Sequence, residues 1–173
     1  MGYSLREHKH RFAIWTAARA VQRSWTTTLN ISKVITSVNL LDFVSTYQSL
    51  SNQKEFDALH SNWCEQMIKE FKVLNIKATY GRAAKIIAIY LKTSIVICEE
   101  TDNDKLRLIH PPIDRILLKN LPNNKELMSI KKLSWTQFDK ESYWQVVNTI
   151  REQFGYFDWR LESLWKPELE KAE

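Results

Sequence analysis

The chain contains little glycine, cysteine and proline for its length. Of its 173 residues, 3 are Gly, 2 are Cys and 4 are Pro. Average glycine usage is about 7%, and sandwiches, barrels, phosphate-binding glycine loops and disordered tails all need more glycine than this chain has. The scarcity of glycine therefore favours an all-α protein.

Cysteine is too scarce for two further classes of protein. Cys64 and Cys98 cannot build a secreted disulfide scaffold or a four-cysteine metal site. No run of His, Cys, Asp and Glu has zinc spacing, and no motif matches a P-loop or a dinucleotide fingerprint. We therefore expect neither metal nor other cofactor, and a reducing cytoplasmic location.

Long apolar runs are missing as well. No segment reaches the roughly 18 uncharged apolar residues of a membrane span, and the first six residues lack the apolar run of a signal peptide. We expect no membrane association. The length favours one domain over residues 1–173, a compact multi-helix domain with at most one short strand or hairpin near 94–109.

Local sequence signals predict most of the helices. Ser4 with Glu7, and Asn52 with Glu55, have the form of capping boxes, and the second precedes the clearest amphipathic pattern of the chain. The first helix is predicted to extend to about residue 24. Further helices are predicted over about 31–38, 40–48, 112–121 and 159–165, and in a segment that ends at Gly155.

The segment after Gly81 contains few polar positions, which is typical of a helix surrounded by other helices. We therefore predict that it is the buried central helix. The apolar run 94–98 that follows fits either a short strand or a continuation of this helix.

Arg82, Lys85 and Lys92 fall on one narrow edge of the predicted central helix. No carboxylate within the helix can pair with them, so a phosphate backbone is one candidate partner. A solvated edge that keeps an apolar helix soluble is the alternative.

Asp114 falls among leucines when the segment 112–121 is drawn as one helix. A carboxylate in such surroundings either acquires a raised pKa, which suits a general base, or accepts free N–H groups at the helix start. Nearby His110 is a second candidate catalytic residue, because histidine titrates near neutral pH.

The first predicted helix has a basic face that includes an aromatic residue. Cations around an exposed ring suit a phosphate backbone with a base stacked nearby. A solvated face with Trp15 turned into the core is the alternative. The residues on this face are His8, Arg11, Trp15, Arg19 and Gln22, flanked by Arg23.

Two short stretches of the chain, and not its whole length, resemble the helix-hairpin-helix DNA glycosylases. The stretches are Thr79-Tyr80-Gly81-Arg82-Ala83-Ala84-Lys85 and His110-Pro111-Pro112-Ile113-Asp114-Arg115-Ile116-Leu117. The resemblance implies that Gly81 and the amides after Tyr80 grip a phosphate, and that Asp114 stabilises a sugar cation as the base departs.

The sequence departs from that family at four points, one of which is a longer interval between the glycine motif and Asp114. Ala83 stands where bifunctional members have a lysine nucleophile, so the resemblance implies a monofunctional enzyme. Ile76-Lys77-Ala78 replaces the Leu-Pro-Gly hairpin, and no cluster of iron–sulfur cysteines follows.

Together these features predict a nucleic-acid-binding protein, with DNA favoured over RNA, or a glycosylase-like enzyme that uses Asp114. The net charge of +5 selects no partner by itself, so a non-catalytic helical protein that binds an acidic partner remains the alternative. The predicted nucleic-acid contacts are Arg11, Trp15, Arg19, Arg23, Tyr80, Gly81, Arg82, Lys85, Lys92 and Arg115.

Overall fold

The computed structural model describes residues 2–21 and 25–167. These residues form α-helices joined by loops and short 3-10 helices, and none of them lies in a β-strand. The α-helices are α1 (Leu5–Val21), α2 (Thr28–Ser37), α3 (Leu40–Thr46), α4 (Gln53–Val73), α5 (Tyr80–Ser94), α6 (Arg115–Lys119), α7 (Lys125–Lys131) and α8 (Lys140–Phe154). The 3-10 helices are Tyr47–Ser49, Val96–Cys98, Leu106–Leu108, Trp135–Gln137 and Trp159–Leu164.

Helix α5 is the buried central helix that the sequence predicts. It contacts α1, α3, α4 and α8, and most of its side chains are buried. Ala13 and Ala17 of α1 are completely buried, and their small side chains let α1 approach α5 closely. The predicted all-α domain around a central helix is therefore confirmed.

Several predicted caps are present. Ser4 Oγ accepts the Glu7 N–H at 3.1 Å, and Asn52 Oδ1 accepts the Glu55 N–H at 3.0 Å. Gly155 ends α8 with a φ of 77°, the left-handed conformation that glycine adopts without steric cost. The last predicted helix is also present, but as the 3-10 helix Trp159–Leu164.

One predicted helix boundary was wrong, and neither structure considered for the run 94–98 is present. Helix α2 begins at Thr28, because the Thr27 hydroxyl caps it by accepting the Asn30 N–H at 3.2 Å. The run 94–98 forms no strand: α5 ends at Ser94, and a 3-10 turn follows.

The prediction of one helix over 112–121 was also wrong, and this changes the position of Asp114. Helix α6 begins only at Arg115, and Asp114 is its N-cap residue, in an extended conformation with φ −144° and ψ −178°. Its Oδ1 accepts the Leu117 N–H at 3.0 Å. Asp114 therefore precedes the helix rather than lying on its apolar face, as the capping alternative expected.

Among the described residues, no helix is long and apolar enough to cross a membrane.

Candidate functional site

The three predicted cations of α5 each lie over the ring of a tryptophan from another part of the chain. We call these three cations the α5 edge. The distances to the ring centroids are 4.6 Å for Arg82 over Trp25, 4.3 Å for Lys85 over Trp135 and 5.5 Å for Lys92 over Trp165. Such cation–π contacts contribute about 0.5–1 kcal/mol at exposed sites and more when desolvated.

Asp114 contacts two side chains of this arrangement, Lys85 and Trp165. Its Oδ2 is 3.3 Å from Lys85 Nζ and accepts the Trp165 Nε1–H at 3.0 Å. Lys85 is only 7% exposed, so this ion pair is largely removed from water. Asp114 and the α5 edge therefore meet on one side of the molecule.

The other two cations of the α5 edge are also engaged within the chain. Lys92 forms an ion pair with Glu162, and burial lowers the pKa of Arg82. Sequence reasoning missed the partners of the edge, because the tryptophans and Glu162 are distant along the chain. Indole rings cover the α5 edge, so it is not the solvated edge that the sequence left as an alternative.

His110, the other candidate catalytic residue, lies in the core and bonds to residues other than Asp114. Its Nδ1 is 2.9 Å from the Tyr143 hydroxyl, and its Nε2 is 2.9 Å from Asp57 Oδ1. Arg151 donates two hydrogen bonds to Asp57, at 2.6 and 2.8 Å. The Tyr143 hydroxyl lies 3.4 Å from His60 Nε2, so the network extends through the core from α8 to α4.

Burial sets the charge states of this network. Burial lowers the pKa of His110, although Asp57 opposes this effect. It lowers the pKa of His60 more strongly than that of His110. Burial also raises the pKa of Tyr143 well above its usual range. At Asp57, burial raises the pKa, but hydrogen bonds from Arg151 and His110 outweigh it and leave the pKa far below its usual range. The two histidines are therefore neutral at pH 7, beside an Asp57–Arg151 ion pair.

The outward face of α1 carries two exposed aromatic rings. Phe12 is 52% and Trp15 is 51% exposed, and their rings stack 5.8 Å apart with an interplanar angle of 27°. Arg11 and Arg19 are exposed on either side of this pair. Arg11 also bonds to Glu7 at 2.5 Å.

Helix α1 is strongly basic along its length. It contains four Lys or Arg residues and a single acidic residue, Glu7. Its 17 residues extend over about 25 Å, and at 100° per residue the stacked pair lies on one face with Leu5, His8 and Arg19. We define the α1 face as Leu5, His8, Arg11, Phe12, Trp15 and Arg19. Gln22 and Arg23, predicted to extend it, lie outside the described residues.

Tyr80 and Gly81, two other predicted contact residues, are enclosed by protein. Tyr80 is 3% exposed; its hydroxyl donates to Ser61 Oγ at 3.3 Å and accepts the Trp144 Nε1–H at 3.2 Å. In this conformation its ring offers no face to a base. The Gly81 N–H donates to the Phe138 carbonyl at 3.1 Å, so it is directed into the fold rather than toward an external phosphate.

Gly81 also allows a close backbone contact. A Cβ at this position would lie 2.0 Å from the Trp135 carbonyl oxygen, which is far inside contact distance. The remaining predicted contact, Arg115, is exposed at the first position of α6.

No group of three or more His, Cys, Asp or Glu side chains in residues 2–21 and 25–167 is placed to hold a metal ion. No protein-family model, curated protein or solved structure matches the chain.

Proposed function

We propose that the protein binds single-stranded nucleic acid, with DNA favoured over RNA, through the α1 face. The observation that carries the proposal is the stacked and half-exposed pair Phe12–Trp15 between Arg11 and Arg19. Exposed stacked rings beside guanidinium groups form the stacking platform with which proteins bind unpaired bases and their phosphates. A cytoplasmic location is part of this proposal.

The spacing of the two arginines fits a backbone that runs along the helix. Arg11 and Arg19 are eight positions apart, which is about 12 Å along the axis, so they reach different phosphates. The rings lie between them along the axis. Of the other predicted contacts, Arg115 is also exposed, whereas Lys85 is buried against Asp114.

The test is fluorescence anisotropy with a labelled 20-nucleotide single strand at low salt. Phe12→Ala and Trp15→Ala should each weaken binding about 5- to 150-fold, because stacking contributes about 1–3 kcal/mol per base. Leu29→Ala is the matched control: Leu29 is an exposed apolar residue on α2, and its truncation should leave affinity unchanged. The proposal fails if the wild type does not bind, or if all three variants bind as it does.

The same titration shows whether the ligand of the α1 face is nucleic acid or an acidic partner protein. Polyglutamate offers carboxylate charge without bases, so it should compete weakly with the oligonucleotide and show no dependence on Phe12 or Trp15. If polyglutamate binds and the oligonucleotide does not, the acidic partner replaces nucleic acid as the ligand of the α1 face.

A second candidate function is the release of a base at Asp114, as the glycosylase resemblance implies. It is supported by the position of the Asp114 carboxylate beside the indole of Trp165 and near that of Trp135, since a carboxylate and aromatic faces both stabilise positive charge. It ranks second because Lys85 already neutralises this carboxylate. Release of free base by the wild type, lost in Asp114→Asn while oligonucleotide binding persists, would establish it.

A further inference from the structure

A cavity of about 310 Å³ opens between α1, α3 and α5, next to the α1 face but distinct from it. Its polar lining consists of Arg6, Lys9 and His10 from α1 and of Tyr90 and Ser94 from α5. The rest of the lining is aliphatic and comes from α1 and α3. This volume is at the lower end for pockets that bind small molecules.

The cavity lies in a positive electrostatic environment. Its lining contains two cations and no carboxylate. Burial lowers the pKa of His10, and the charges of Arg6 and Arg11 lower it further against the weaker opposing effect of Glu7. Asp42 lies 3.9 Å from Arg6, but both side chains are exposed, so this ion pair contributes little.

One buried hydroxyl in the lining has no hydrogen-bond partner. Ser94 is 9% exposed, and its Oγ is the only buried side-chain oxygen or nitrogen in the described part of the chain without a partner. Burial raises the pKa of Tyr90, and Ser94 is close enough to the Tyr90 hydroxyl to oppose this rise, but the two groups do not meet the distance and angle limits of a hydrogen bond. Tyr90 instead bonds to His10 Nδ1 at 2.7 Å. An unsatisfied buried hydroxyl is costly, and rotation of the Ser94 side chain toward a ligand in the cavity would satisfy this one.

We propose that this cavity binds a small organic anion. Its carboxylate or phosphate head group would contact Arg6, Lys9 and the Ser94 hydroxyl, and its compact apolar tail would pack against Val44 and Leu41 of α3. The inference is independent of nucleic-acid binding, since it involves none of the residues of the α1 face except Leu5.

The first test compares probes that share a tail size but differ in charge. Hexanoate, phenyl phosphate and hexanol are titrated by calorimetry into the full chain. At least one of the two anions should bind about tenfold or more tightly than hexanol, as expected for charge-assisted hydrogen bonds. The ratio of the affinities for hexanoate and phenyl phosphate then shows whether the cavity prefers a carboxylate or a phosphate head group. Binding of hexanol as tight as that of both anions would overturn the proposal.

The second test uses variants matched in charge. Arg6→Gln/Lys9→Gln should weaken binding of the preferred anion about tenfold or more. The control Lys33→Gln/Lys69→Gln removes the same charge from exposed positions outside the cavity and should bind as the wild type does. Equal weakening of anion binding in both double variants would show that the overall charge of the protein causes the effect. It would refute a binding site at this cavity.

The third test separates a ligand contact from a structural role at Ser94. Ser94→Ala removes the unsatisfied hydroxyl, so the variant should melt a few degrees higher and yet bind the anion about threefold or more weakly. In the wild type, saturation with the anion should raise the His10 pKa measured by NMR. A Ser94→Ala variant with unchanged affinity, together with an unmoved His10 titration, would contradict the proposal.

Discussion

Lys85 of the central helix and Asp114 at the start of α6 meet with 3.3 Å between Nζ and Oδ2, although 29 positions separate them along the chain. The indole of Trp165 hydrogen-bonds to the same carboxylate oxygen. One carboxylate therefore joins α5, α6 and the segment after residue 164, and it also caps a helix.

Asp114→Asn should lower the free energy of unfolding by about 1.5–3 kcal/mol, the usual contribution of hydrogen bonds to charged groups. The amide oxygen can still cap α6, so the loss reports the contacts of Oδ2 with Lys85 and Trp165. Asp114→Ala should cost about 1 kcal/mol more, because it also removes the cap. Urea unfolding monitored by circular dichroism measures both variants.

A double-mutant cycle provides the control. If Lys85 and Asp114 stabilise the fold through each other, Lys85→Met combined with Asp114→Asn should cost less than the sum of the single variants. Strict additivity would show that the two side chains act independently.

The buried histidines predict how stability depends on pH. The pKa values of His60 and His110 are lower in the folded state than their ordinary value near 6.5, so below about pH 6.5 the unfolded chain binds more protons. Stability should therefore be complete above this pH and fall as the pH decreases, by up to about 1.4 kcal/mol per pH unit for each histidine. Urea unfolding between pH 7.5 and 5 measures the slope.

His60→Gln and His110→Gln are the controls for this slope. Each should remove the part of the pH dependence that its own histidine contributes. Equal stability at pH 7.5 and pH 5.5 would mean that His60 and His110 are not neutral in the folded protein.

Gly81→Ala should destabilise the protein by about 1–3 kcal/mol or more, the usual cost of overpacking. The added Cβ would meet the Trp135 carbonyl oxygen at 2.0 Å, and a backbone atom cannot move away as a flexible side chain can. Gly2→Ala is the matched control, since nothing lies within 4 Å of its added Cβ. Thermal melts compare the two, and similar midpoints would argue against the close contact.

The salt dependence of oligonucleotide binding should distinguish the α1 face from the α5 edge. Arg11→Gln/Arg19→Gln should reduce the slope of log affinity against log salt by about two, roughly one for each lost phosphate contact. Lys92→Gln should change it much less, because Lys92 is half-buried between Glu162 and the Trp165 ring, whereas the exposed Arg11–Glu7 pair is weak enough for a phosphate to replace it. The reverse ranking would move the nucleic-acid interface to the α5 edge.

Features encoded by near neighbours could be predicted from the sequence. The caps at Ser4 and Asn52 and the helix end at Gly155 each depend on groups within about one turn. The central helix could be predicted because burial on most sides removes polar residues from nearly every position of the helix.

Features that depend on tertiary contacts could not be predicted. The pairing of Asp57 with Arg151 joins residues 94 positions apart, and no periodicity indicates it. Asp114 was misplaced because a helical projection assumes that the helix has already begun, whereas Asp114 is still extended and caps the helix that begins after it. Only one of the two stacked rings of α1 was predicted, because the predicted basic face included Trp15 but not Phe12.

The indole cover of the α5 edge has a consequence for the order in which the protein folds during synthesis. Trp25 is made before α5, but Trp135, Asp114 and Trp165 leave the ribosome after it. While the chain is growing, Lys85 and Lys92 thus lack the partners that later enclose them, and contacts between distant residues form slowly. The helix at the centre of the molecule therefore acquires its final surroundings only after the chain has been made as far as Trp165.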